Sequence, residues 1–141
     1  MNSDETCVFL FERGAFFGGA LNYQIYDCEI YMRLVGEGYN NFADMPKVGF
    51  TFPRKEMRPF TELIRKIEHW NDEYRNDGIL DGYGWTYEYH FDGIDIRKDG
   101  YAAHPEDFSP VTREMQMLIE DLCRKYAPDY DENRISERLE L

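Results

Sequence analysis

The chain has 141 residues, 43% of them hydrophobic and 31% charged, a one-domain length with enough apolar content to bury a core. Its 28 acidic against 16 basic residues leave a net charge of −12, which excludes the basic footprint of direct DNA or RNA binding and disfavours anionic membrane surfaces. Such acidity serves solubility alone, or a basic partner, or a face that imitates a phosphate backbone, and composition does not separate these readings.

Aromatic residues reach 16%, far from the composition of disordered chains. Cys7, Cys28 and Cys123 are scattered and odd in number, so buried free thiols in a reducing compartment are expected, with no disulfide. The N-terminus, Met-Asn-Ser-Asp-Glu, lacks the basic start of a signal peptide. The uncharged run from Gly14 to Tyr26 is too short to span a bilayer. The expected location is cytoplasmic.

Cys7 to Phe11 is a continuous apolar run, the pattern of a strand buried on both faces. After the glycine-rich stretch 13–19, Leu21, Tyr23 and Ile25 alternate with polar residues, and Cys28, Ile30, Met32 and Leu34 do so in the opposite parity. A change of parity requires a turn or a bulge. A two-residue turn at Asp27-Cys28 would pair Ile25 with Ile30 and Tyr23 with Met32. Residues 36–47 read as loop, and Val48, Phe50 and Phe52 as a short strand.

A helix is expected to start near Pro59, with Phe60, Leu63, Ile64, Ile67, Trp70 and Tyr74 on its apolar stripe, and to end at Asp77-Gly78. From Trp85 to Lys98 two alternating segments flank Asp92-Gly93, a pair suited to a type I′ turn. That turn sets Phe91 opposite Ile94 and Tyr89 opposite Ile96. On the polar face it sets Glu88 opposite Arg97 and His90 opposite Asp95, two pairs of opposite charge. A second helix follows, with Ser109 as N-cap, Pro110 in first place and Val111, Met115, Leu118, Ile119, Leu122 and Tyr126 inward, stopped by Pro128. Residues 1–128 are thus read as one α+β domain and 129–141 as a tail, a short helix or frayed.

The expected architecture is an antiparallel sheet of about five or six strands packed by two amphipathic helices.

Catalytic signatures are sparse. His69 sits on a helix flank and His90 is explained by the hairpin, which leaves His104, followed by Glu106 and Asp107, as the most enzyme-like grouping. No nucleophile elbow or phosphate loop is present. The cysteines and histidines match no zinc spacing. Asp129, Asp131 and Asn133 begin a calcium loop that lacks its glycine and closing glutamate. No catalytic residue, metal site or cofactor is assigned.

Three Gly-Tyr pairs in expected loops stand out: Gly38-Tyr39, Gly82-Tyr83 and Gly100-Tyr101. Tyrosine offers large contact area at low entropic cost, so Tyr39, Tyr83, Tyr101 and His104 form the candidate binding surface. The competing reading is that these rings fold back over a small core.

The order Trp70-x-x-x-Tyr74, Asp81-Gly82-x-x-Trp85 and Gly100-Tyr101-x-Ala103-x-Pro105-x-x-Phe108 resembles small uncharacterised bacterial proteins. These carry a helix, a Trp-led hairpin and a Gly-x-Asn-Ala-x-Pro segment before a last helix, and Ala102 stands here in place of the Asn. The resemblance covers the C-terminal half and implies an α+β fold without an activity.

The expected function is therefore a non-enzymatic, acidic protein-binding module with a basic partner, of the kind seen in immunity or phage anti-defence inhibitors. The alternatives are a nucleic-acid mimic, or a small-molecule-binding or hydrolytic enzyme with a site near Tyr83, Tyr101 and His104.

Overall fold

The computed structural model describes residues 5–15, 19–39, 48–78 and 83–127. Seven strands, β1 (Thr6–Ala15), β2 (Gly19–Asp27), β3 (Met32–Tyr39), β4 (Val48–Phe52), β5 (Glu73–Arg75), β6 (Tyr83–Phe91) and β7 (Ile94–Tyr101), form one sheet in the order β4-β3-β2-β1-β6-β7-β5. Two α-helices among the described residues, α1 (Arg58–Ile67) and α2 (Phe108–Tyr126), complete an α+β fold. The sheet is mixed rather than antiparallel throughout, because β5 pairs with β7 in parallel. The tail 129–141 lies outside the described residues.

The alternation of each strand decides its faces. Phe9, Phe11, Tyr23, Ile25, Leu34, Trp85, Tyr87 and Tyr89 share one face and are fully buried there. The helices cover that face: Phe60 of α1 meets Phe9 with ring centroids 5.4 Å apart, and Phe108 of α2 meets Trp85 at 4.8 Å. The hydroxyls of Tyr89 and Thr61 lie 2.7 Å apart and those of Tyr87 and Thr112 2.8 Å apart, so neighbouring core tyrosines of β6 each fasten one helix. Buried hydroxyls need such partners. No described helix covers the opposite face.

Four local expectations change. The apolar run at the start of β1 reflects a bulge between Cys7 and Phe9, which turns both Val8 and Phe9 into the core, while Leu10 stays half-buried on the uncovered face. The β2–β3 connection is a four-residue loop, Cys28–Tyr31, with Asp27 opposite Met32 and Ile25 opposite Leu34. Parity permits either register; in the one adopted, the Asp27 carboxylate accepts the Glu29 N–H at 2.9 Å, with Glu29 at a φ of 71°, and the Cys28 N–H bonds the Tyr31 carbonyl at 2.9 Å. Ile30, expected on the core face, is 88% exposed at the loop tip.

The first helix stops at Ile67, well short of Tyr74. The chain reverses where the Trp70 N–H bonds the Ile67 carbonyl at 2.9 Å, and Tyr74 enters β5. Lys98, only 5% exposed, secures the reversal by donating to the Trp70 carbonyl and the Asp72 carboxylate, both at 2.8 Å. The second helix begins two residues early, at Phe108 rather than Pro110, with Asp107 rather than Ser109 as N-cap. The Asp107 carboxylate accepts the Trp70 indole N–H at 2.8 Å instead of capping the helix.

The hairpin β6–β7 forms in the expected register, with Glu88 opposite Arg97 and His90 opposite Asp95. Asp92 and Gly93 both hold positive φ, 54° and 78°, as a type I′ turn requires. Gly100 is needed for another reason. A Cβ there would lie 2.4 Å from the Trp85 indole nitrogen, which donates to the Ala103 carbonyl at 2.9 Å.

The three cysteines are free. Only Cys123 is buried, whereas Cys7 and Cys28 are half-buried, because the bulge and the loop displace both from core positions. No helix among the described residues is long and apolar enough to cross a membrane.

Candidate binding surface

The uncovered sheet face collects charge where β6 and β7 pair. Strand alternation places Glu88, His90, Asp95, Arg97 and Asp99 side by side there. One chain of contacts joins them: Arg97 donates to Glu88 at 2.9 Å and to Asp99 at 3.3 Å, His90 Nε2 lies 3.2 Å from Glu88, and His90 Nδ1 contacts Asp95. The bond to Glu88 is the largest effect and raises the His90 pKa above the ordinary imidazole value; burial opposes it, and the bond to Asp95 adds to the rise.

Glu12 extends the row from β1, since Glu12 pairs with Thr86 and Thr86 with Asp99. It is exposed and has no ion-pair partner among the described residues. A shallow depression of about 410 Å³ lies between Glu12, Gly14, Gly84, Thr86, Arg97 and Asp99. Four carboxylates (Glu12, Glu88, Asp95 and Asp99) thus face one guanidinium and one imidazole. Positive charge gathers elsewhere, where Arg54, Lys55, Arg58 and Arg65 line a cleft of about 550 Å³ beside α1.

The four residues singled out from the sequence converge on one end of the sheet but not on one face. All three tyrosines lie in strands, not loops: Tyr39 closes β3, Tyr83 opens β6 and Tyr101 closes β7. Tyr39 is described by its backbone alone, level with Ala20. Tyr101 pairs with Gly84, so it shares the uncovered face, where its ring lies 6.0 Å from the Arg75 guanidinium. Tyr83 has the opposite parity and sits half-buried on the helix side.

His104, in the connection to α2, joins Tyr83 with ring centroids 6.2 Å apart and stacks on Phe108 at 5.1 Å. Its Nδ1 donates to the Pro105 carbonyl at 3.0 Å. Burial raises the Tyr83 pKa, and the nearby Arg13 opposes the rise.

Arg13 is the residue that motif reading missed. It opposes Leu21 and Trp85 and therefore belongs to the covered face. Its guanidinium lies 4.9 Å from the Tyr83 ring centroid and 6.0 Å from that of Phe108. Its Nε is buried without a hydrogen-bond partner among the described residues. The available signal was parity: Phe9, Phe11 and Arg13 are successive odd positions of one strand.

No group of three or more His, Cys, Asp or Glu among the described residues is arranged to hold a metal ion. Fold and surface define a small α+β protein with one helix-covered and one charge-bearing sheet face. Compared with protein families, with characterised proteins and with solved structures, the chain matches none.

Proposed function

We propose that this chain is a non-enzymatic binding module that seats a basic protein partner on the uncovered face of its sheet. The observation that carries this reading is the excess of carboxylates where β1, β6 and β7 adjoin on that face, Glu12, Glu88, Asp95 and Asp99 against Arg97 and His90. Paired strands hold such groups about 4.8 Å apart across the sheet and roughly 6.8 Å apart along it. A surface fixed by the backbone loses little entropy on binding, and its single-sign field accelerates encounter with a basic partner. Tyr101 adds aromatic contact area at the margin of the same face.

An inhibitor that occludes a basic surface of its target is the form this activity takes in our reading. Where that surface binds nucleic acid, the carboxylate rows act as a phosphate mimic, a second reading favoured by Glu12 and Asp99 lying level across Thr86. Affinity capture from the native host with the wild-type chain and an E12K/D95K variant, followed by mass spectrometry and binding kinetics on the captured partner, tests the proposal. A basic partner should be lost with the variant and associate more slowly as salt rises. Capture that is indifferent to both charge reversal and salt would sink it.

A further inference from the structure

Arg13 is anomalous in its setting. Carboxylates outnumber cationic side chains 28 to 16 in this chain, yet no carboxylate among the described residues pairs with it. Its Nε is buried without an acceptor among the described residues, an arrangement that costs stability unless another group completes it. The groups around it are also incomplete. The Tyr83 hydroxyl has no hydrogen-bond partner among the described residues, and His104 uses Nδ1 on the Pro105 carbonyl while Nε2 stays unengaged. Three polar groups with unused capacity therefore surround the Tyr83 and Phe108 rings.

We propose that Arg13, Tyr83 and His104, backed by the buried Phe108, form a receptor for a carboxylate carried on an apolar body. A guanidinium offers a planar fork that matches a carboxylate bidentately. The accessible Tyr83 and His104 rings suit an apolar body and disfavour a dianionic phosphate, because one cation cannot compensate a double charge against such walls. This site lies on the helix side, away from the acidic sheet face, and it stands or falls independently of the docking proposal.

The test uses the full chain with three probes at constant ionic strength: benzoate, inorganic phosphate and a Gly-Gly-Phe peptide with a free C-terminus. The readouts are the thermal midpoint and the NMR resonance of the Arg13 Nε–H. Benzoate or the peptide should raise the midpoint and shift the resonance saturably, with phosphate weaker than both. The tighter of the two tells a free acid from a chain terminus. R13M, which removes the fork but keeps an apolar stem, should weaken binding about 10- to 100-fold while melting near the wild-type midpoint. If R13M does not fold, R13K retains the charge without the fork and should bind about tenfold more weakly. Three results overturn the proposal: no response from the wild type, a response that survives removal of the fork, or phosphate binding as tightly as the carboxylates.

Discussion

The hydroxyls of Tyr87 and Thr112 stand 2.8 Å apart inside the core, joining the central part of β6 to α2. Burial pushes the Tyr87 phenol upward, only partly offset by that bond, so it stays a neutral partner. Removing either hydroxyl leaves the other buried and unpaired. Y87F and T112V should each cost ~1–2 kcal/mol, and the double variant less than their sum by ~1 kcal/mol. Urea unfolding of the four proteins measures the coupling. Strict additivity would mean that the contact contributes nothing to stability.

G100A should destabilise the chain by ~2–3 kcal/mol through overpacking alone. The new methyl would lie 2.4 Å from the Trp85 indole nitrogen and 2.6 Å from the Ala103 oxygen, the two ends of one hydrogen bond. Thermal unfolding and indole fluorescence report the loss together. A wild-type midpoint with unchanged fluorescence would show that this corner can give way.

His90 should titrate above the ordinary imidazole value of 6.5, because Glu88 and then Asp95 favour its charged form. With the folded pKa raised, its contribution to stability is fully present below the unfolded value and is lost as pH rises through the folded one. The side chain is 42% exposed, so the effect on stability is small. An NMR titration checks it: the midpoint should fall toward 6.5 in E88Q and in D95N.

The three thiols should differ in reactivity. Burial raises the pKa of all three, and that of Cys123 to about 12. Thiolate is the reactive form. A native-state labelling time course should therefore show Cys7 and Cys28 reacting slowly and Cys123 only after unfolding. Equal rates would contradict the packing around α2.

Tyr83 and Tyr101 should part company on mutation. Y83A removes a half-buried ring that packs on His104 beneath the Arg13 guanidinium, and should cost ~2 kcal/mol. Y101A, on the uncovered face, should cost about half as much or less. Calorimetry of both variants decides whether the rings serve the fold equally.

What the sequence discloses here depends on whether the deciding interaction is local. In the β6–β7 hairpin, turn chemistry at Asp92-Gly93 and the alternation on both sides constrain one register, so it could be read directly. The β2–β3 connection leaves two registers with the same parity, and the one adopted is held by bonds inside the loop, from Glu29 to the Asp27 carboxylate and from Cys28 to Tyr31, that no turn motif announces. Tyr74 follows Trp70 at helical spacing, yet its place is set by a partner in β7 some two dozen residues away. The opposed faces of Tyr83 and Tyr101 were legible, because Tyr101 continues the polar positions Asp95, Arg97 and Asp99. Arg13 was legible only as an oddity of parity, since nothing local announces the rings that gather round it.

The strand that comes first in the chain lies at the middle of the sheet. β2 pairs with one edge of β1 soon after synthesis, but the other edge waits for β6, where Phe9 meets Tyr89. At ribosomal rates of about 5–20 residues per second, that edge stays open for roughly 4 to 15 seconds in each nascent chain. Until then a half-sheet presents unpaired amides alongside Phe9 and Phe11, a template that any other strand can claim. A chain arrested before residue 83 should accordingly aggregate or bind chaperones, and the completed one should owe its folding time to this single long-range closure.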